Sequence, residues 1–255
     1  MIESRPSTVL VVDDNAIIRR LQEAQLEALH VQLVAASGGE EALDLMRSIE
    51  PDLVLLDVVM PGLDGFRVCE ALKADPATRE VPVMVVTALG KDARDRSFAA
   101  GADDFMRKPP NTLLLRARAL VHLRIRRARV AKDALAAGAV LLATADPELG
   151  VSILSALPGE TQVLRASTPA EARAAMAQKP VAAILDLGMD DAVGIARDWR
   201  AAGSRVSTLL VHHAEDFTVI EEDHPPVDDF LELPASAAEV RHRVRLLLRL
   251  ASAGD

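Results

Sequence analysis

The sequence predicts an α/β protein made of two tandem units, each a five-stranded parallel sheet covered by helices. Three observations carry that prediction. Short β-branched or apolar runs alternate with stretches of helical spacing, the alternation occurs five times, and it then runs five times more. Landmarks recur at nearly constant offsets: Pro51 and Asp57 lie 129 residues before Pro180 and Asp186, while Asp103, Asp104, Phe105 and Pro109 lie 125 before Asp228, Asp229, Phe230 and Pro234. Self-similarity at a fixed offset marks a repeated unit, and strands alternating with helices build parallel sheets.

Taken in order, the first set of strands is TVLVV (8–12), VQLVA (31–35), DLVLLD (52–57), VPVMVV (81–86) and DFMR (104–107). Their near-continuous apolar character fits strands buried on both faces. Between the second and third, Ala42, Leu45, Met46 and Ile49 fall on one helical face and Pro51 marks the stop. The second set is AVLLA (139–143), QVLRA (162–166), VAAILD (181–186), VSTLLV (206–211) and DFLE (229–232). Helical spacing from Asn111 to Ala137, ended by Gly138, predicts one long helix at the join. The expected domains are therefore 1–133 and 134–255. With no Pro/Ser-rich linker in this stretch, a restricted relative orientation is expected.

Composition bounds the function. A chain of 255 residues can bury two cores, and with six aromatic residues those cores must come from Val, Leu, Ile and Ala. The single Cys69 has no internal disulfide partner, which fits a reducing compartment. No N-terminal segment joins a basic flank to a long apolar run, and the longest apolar stretch, Leu135 to Ala143, is too short to span a bilayer. A soluble, cytoplasmic protein without membrane insertion is expected. Residues 1–133 carry 19 Lys/Arg against 20 Asp/Glu, and residues 134–255 carry 10 against 18, giving net charges of −1 and −8. The second half is thus unlike a nucleic-acid binder. The basic run Arg116 to Lys132 reads as a solvated helix face.

Chemistry concentrates at strand ends in the first half. Ligands of open parallel sheets bind at the carboxyl ends of strands, where Asp13, Asp14, Asp57, Thr87 and Lys108 all fall. Three clustered carboxylates repel one another unless a cation sits among them, and an all-oxygen site that retains waters suits Mg²⁺.

These residues, as VVDDN, LLDVVMPGLDG, VTA and the Lys-Pro step across residues 1 to about 130, resemble the receiver domain of bacterial two-component response regulators. The resemblance implies a flavodoxin-like fold with strand order 2-1-3-4-5. It implies Asp57 as phosphoacceptor, Asp14 as direct Mg²⁺ ligand, Asp13 as a ligand through water and the Val59 carbonyl as a backbone ligand. It further implies that Thr87 bonds the phosphoryl oxygens, Lys108 pairs with the phosphate, the Lys108-Pro109 peptide is cis, and Phe105 is a switch aromatic.

In the second half Asp186 takes the acceptor position, but His212 stands for Thr87 and Leu233 for Lys108. The first-strand acids read as thinned to Asp146, and Glu232 adds negative charge where a phosphoryl group needs positive. A degenerate receiver kept for its surfaces is the expectation. Adjacent strand residues point to opposite faces, so only one of His212 and His213 can face the acids, and a histidine bonded to a neighbour is favoured over a metal ligand. The acidic stretch 214–226, closed by two prolines, predicts a shortened fourth helix.

An intact receiver followed by a degenerate one is similar to the regulatory half of PleD-like response regulators. The resemblance implies a sensor histidine kinase or phosphotransfer protein as phosphodonor, and signalling through a homodimer or a downstream protein partner. No catalysis is expected beyond the receiver's own phosphorylation and dephosphorylation. The alternative is the regulatory fragment of a diguanylate cyclase whose output domain lies outside these residues, since after the last predicted helix the sequence ends at ASAGD.

Overall fold

A computed structural model describes residues 5–128, 135–213 and 226–253. The chain divides into two compact units, Met1–Arg127 and Ala128–Asp255.

In the first unit the order is β1 (Thr8–Val12), α1 (Ala16–Leu26), β2 (Gln32–Ala36), α2 (Gly39–Ile49), β3 (Leu53–Leu56), α3 (Gly65–Ala74), β4 (Val83–Thr87), α4 (Lys91–Ala99), β5 (Asp104–Arg107) and α5 (Thr112–Arg127). The strands form one parallel sheet in the order β2-β1-β3-β4-β5. Strand alternation splits its apolar residues between two faces. Leu10, Val12, Val54, Leu56, Val83 and Val85 meet α2 and α3 on one side. Val9, Val11, Leu53, Leu55, Met84 and Val86 meet α1 and α5 on the other. The edge strand β2 shows only mixed burial.

The second unit repeats this plan with β6 (Val140–Ala143), α6 (Pro147–Ala156), β7 (Val163–Ala166), α7 (Pro169–Ala175), β8 (Ala182–Asp186), α8 (Ala192–Ala201), β9 (Ser207–His213), β10 (Asp229–Leu233) and α9 (Ala237–Ala253). Its sheet order, β7-β6-β8-β9-β10, is again 2-1-3-4-5. Two tandem flavodoxin-like sheets are therefore present.

Paired acids explain why the Asp-Asp-Phe segment is written twice. Asp103 accepts the Val83 N–H at 2.9 Å and the Lys73 ammonium at 2.5 Å, tying α3 to the start of β4. Asp228 does the same with the Thr208 N–H at 2.7 Å and the Arg200 guanidinium at 2.7 Å. The second acid of each pair anchors the last helix: Asp104 meets His122 at 3.1 Å, and Asp229 meets Arg243 at 3.2 Å. Each of these buried or half-buried carboxylates thus has partners that offset its desolvation.

One expectation fails at the join. The helix ends at Arg127, and Leu135 to Ala137 are not helical. Leu135 instead packs on the core of the second unit, and the Ala136 N–H donates to the Leu248 carbonyl at 3.1 Å. Helical spacing continued there because a strand-entry residue buried on one side uses the same apolar types. Residues 129–134 at the join, and the expected shortening of a helix within 214–226, fall outside the described residues, apart from Pro226. Among the described residues no helix is long and apolar enough to cross a membrane.

Candidate functional site

The site of the first unit is built from the carboxyl ends of its strands. Asp13 follows β1 directly, and its N–H donates to the Ala36 carbonyl at 3.2 Å. Asn15, two residues on, caps α1 by accepting the Ile17 and Ile18 N–H groups, which turns the chain away and leaves Asp13 and Asp14 at the sheet edge. Asp57 follows β3 and is pinned through its own N–H to the Val12 carbonyl at 2.9 Å. Behind it, a Cβ on Gly65 would come within 2.1 Å of the Asp57 carbonyl oxygen, so only glycine lets α3 start this close to the acceptor loop.

Ligating oxygens of Asp13, Asp14 and Asp57 all lie within 4.8 Å of one another. Asp13 and Asp57 are buried, whereas Asp14 is exposed. Lys108, at the end of β5, sends its Nζ between the two buried acids and donates to Asp13 Oδ2 and Asp57 Oδ2, each at 2.5 Å. Burial of the ammonium pulls its pKa down, but the hydrogen bonds and charges of Asp13 and Asp57 outweigh this and hold it above its ordinary value. The remaining oxygen of Asp57, Oδ1, accepts the Val59 N–H at 3.1 Å. The Val59 side chain stands at the mouth, 52% exposed.

Thr87 closes β4 and is fully buried, its Oγ1 accepting the Leu89 N–H at 3.4 Å and its carbonyl accepting the Lys108 N–H at 2.8 Å. Phe105 sits half-buried on β5, packed against the α2–α3 side of the core. The Lys108-Pro109 peptide is cis, as the resemblance implied. Asp13, Asp14, Asp57, Thr87 and Lys108 therefore meet at one sheet edge, with Val59 at its rim and Phe105 two residues before the Arg107 position that pairs with Thr87.

Hard carboxylate oxygens, two buried and one open to water, suit a hard divalent cation that keeps part of its hydration. The donor set thus fits Mg²⁺.

The second unit places the same backbone around different chemistry. Register pairs Ala143 with Leu185, as Val12 pairs with Leu56, so Thr144 and Ala145 occupy the positions of Asp13 and Asp14. This corrects the reading of Asp146 as a surviving acid. Asp146 stands where Asn15 does and caps α6, accepting the Glu148 N–H at 2.8 Å and the Leu149 N–H at 3.3 Å. The Asp-Pro step at a helix start was the signal for this role.

Asp186 keeps the backbone arrangement of Asp57, its Oδ1 accepting the Gly188 N–H at 2.9 Å. Its Oδ2, however, accepts the Thr144 hydroxyl at 2.6 Å, where Asp57 has an ammonium. Sequence reading missed Thr144. His212 is buried, its Nδ1 2.9 Å from the His213 carbonyl and its ring edge-on to the fully buried Phe230 at 6.1 Å. Among the described residues, the acids of the first unit are the group of three that could hold a metal ion; His212, Asp186 and Asp146 form no such group.

A family model of the response regulator receiver domain matches residues 9–119, a span that contains every residue of the first-unit site. Response regulator PleD of Caulobacter vibrioides is 46% identical over 111 residues, which are 43% of this chain and 24% of that protein. Transcriptional regulatory protein ResD of Bacillus subtilis is 40% identical over 124 residues, 48% of this chain and 50% of that protein. Among solved structures, the signal receiver domain of a signal transduction histidine kinase from Syntrophus aciditrophicus is 32% identical, with a TM-score of 0.44 over 46% of this chain and 89% of that one. The chain spans about a quarter to a half of the length of these two curated relatives.

Proposed function

We propose that the chain accepts a phosphoryl group on Asp57 and passes the signal on by protein contact, a reading supported by the match of residues 9–119 to the response regulator receiver domain model. The observation that carries this reading is the contrast between the two units. Where the first has two buried acids bridged by an ammonium, the second has an acid satisfied by a neutral hydroxyl.

In the proposed reaction an Asp57 carboxylate oxygen attacks phosphorus in line. The phosphorus–nitrogen bond of a phosphohistidine on a sensor kinase or phosphotransfer protein breaks, and the imidazole nitrogen leaves with the electron pair. The product is an acyl phosphate. Asp13, Asp14, Asp57 and the Val59 carbonyl would hold Mg²⁺, which when bound neutralises charge on the transferring group. Lys108 exchanges its bond to Asp57 for one to a phosphoryl oxygen, which keeps a positive charge where negative charge develops. Thr87 moves its hydroxyl from the Leu89 N–H to the phosphoryl group, and Phe105 turns inward behind it. The surface of α4, β5 and α5 is repacked by this two-state change, which favours a homodimer or a partner complex.

The second unit is read as an adaptor that keeps receiver surfaces without receiver chemistry. Its β10 end carries Leu233 and the exposed Glu232 in place of Lys108 and Arg107, so no cation faces Asp186 from that strand.

Adding beryllofluoride with Mg²⁺ and measuring mass in solution tests the proposal. A rise in mass for the wild type that Asp57→Asn abolishes is expected; a wild type that does not respond would overturn it. A second reading, the input half of a diguanylate cyclase, is favoured by the match to a quarter of PleD. A GGDEF-type output sequence encoded downstream would decide for it.

A further inference from the structure

Lys108 can act only if the chain that follows it is held still, and two prolines follow it. Pro109 and Pro110 have no N–H, so this turn cannot be secured by its own backbone donors. On the strand side Lys108 is fixed by its N–H to the Thr87 carbonyl at 2.8 Å. On the far side the fixation comes from α1. Gln25, buried near the end of that helix, donates from Nε2 to the Pro110 carbonyl at 3.1 Å and to Thr112 Oγ1 at 2.9 Å. The Pro110 carbonyl can only accept, which settles that the amide nitrogen faces it. The Arg116 guanidinium on α5 then donates from Nε to the Gln25 main-chain carbonyl at 2.5 Å. One residue of α1 is thereby stitched to the loop behind Lys108 and to the helix after it.

The second unit provides the internal comparison. Aligned on the helix caps Asn15 and Asp146, Gln25 corresponds to Ala156; aligned on β5 and β10, Pro110 and Thr112 correspond to Ala235 and Ala237. The fold, the aromatic and the cis peptide of the Leu233-Pro234 step are all kept there. What is missing is the lysine, together with the donor and the side-chain acceptor of the clamp. The architecture alone therefore does not require the clamp.

From this we infer that Gln25 is a positioning residue for Lys108, acting through the Pro109-Pro110 turn. The inference rests on the proposed role of Lys108 as the phosphoryl-binding cation. Buried partners that orient a reacting group are worth about as much as the precision they impose, and a displacement of about 1 Å can cost up to about a hundredfold.

The test uses the full chain with beryllofluoride as phosphoryl mimic, its binding followed by fluorine NMR at saturating Mg²⁺, and Mg²⁺ affinity measured separately by calorimetry. Gln25→Met keeps the volume and removes the donor. It is expected to weaken beryllofluoride binding by roughly tenfold while leaving Mg²⁺ affinity within about twofold of wild type, since the acids are held by other strands. In a Lys108→Ala background the same substitution is expected to change nothing further, because its effect runs through the lysine.

A folded Gln25→Met with wild-type beryllofluoride affinity, or a loss that persists without Lys108, overturns the role. So does an equal loss of Mg²⁺ affinity, which is the mark of general structural damage. If Gln25→Met does not fold, Thr112→Val removes one of the two acceptors and is read in the same way. A wild type that binds no beryllofluoride overturns the reading of the site, and this role with it.

Discussion

At the residue scale, the site is an electrostatic compromise centred on Lys108. Two buried carboxylates share one ammonium, and a third stands at the mouth. Lys108→Met keeps the stem and removes the charge, leaving Asp13 and Asp57 facing each other. It is expected to lower stability in Mg²⁺-free buffer by about 1–2 kcal/mol, less than the cost of breaking a fully buried pair because the pocket opens to solvent and salt. The lysine is held above its ordinary value of 10.5, so its contribution is complete below that value and is lost as pH rises through the higher folded value. The gap in unfolding free energy between wild type and variant should thus be constant around neutral pH and shrink in strong alkali. Denaturant unfolding at a series of pH values checks this; a gap that closes at neutral pH would contradict it.

At the element scale, both units start their second helix with the same device. Ser37 donates from N and Oγ to Glu41 Oε2 at 2.7 and 2.6 Å at the start of α2. Ser167 repeats this on Glu171 at 2.8 and 3.0 Å at the start of α7. The Ser37 hydroxyl, followed by its N–H, holds the Glu41 carboxyl below its ordinary value. A lowered carboxyl stabilises the fold above its unfolded value and stops doing so as pH falls through the folded one. Glu41→Gln is therefore expected to cost on the order of a few tenths of a kcal/mol at neutral pH, after solvent screening, and nothing in acid. Thermal unfolding at neutral and acid pH reads this directly, and an undiminished difference in acid would refute it. The pattern Ser-x-x-x-Glu was in the sequence twice, but only helix geometry shows that the glutamate reaches back to the serine.

At the scale of the whole molecule, one backbone plan carries two chemistries. Strand order, a phenylalanine on the last strand, the cis proline step and both acid anchors are common to the two units. The acid cluster and its cation belong to the first. Asp186→Asn is accordingly expected to leave phosphate incorporation at the wild-type level, since Thr144 can still donate to the amide oxygen, whereas Asp57→Asn removes it. Phosphotransfer labelling of the two variants distinguishes them, and a loss in Asp186→Asn would refute the division between units.

The sequence by itself determined the strands, their order of appearance, the repeat and the placement of Asp13, Asp57, Thr87 and Lys108 at strand ends, because each depends on apolar period, strand-end position or turn chemistry read within a few residues. Leu10 to Val12 must be strand core, and an acid after such a strand must lie at the sheet edge. Only the tertiary structure decided which loop residue meets which. Asp146 became a helix cap rather than a site acid once strand register aligned it with Asn15, and Leu135 to Ala137 left the helix once Ala136 bonded Leu248. Lys73 with Asp103, Thr144 with Asp186 and Gln25 with Pro110 are partners 30, 42 and 85 residues apart. Local spacing carries no record of such pairs, because each is selected by what folding brings within hydrogen-bond reach and by the cost of leaving a buried polar group unmatched.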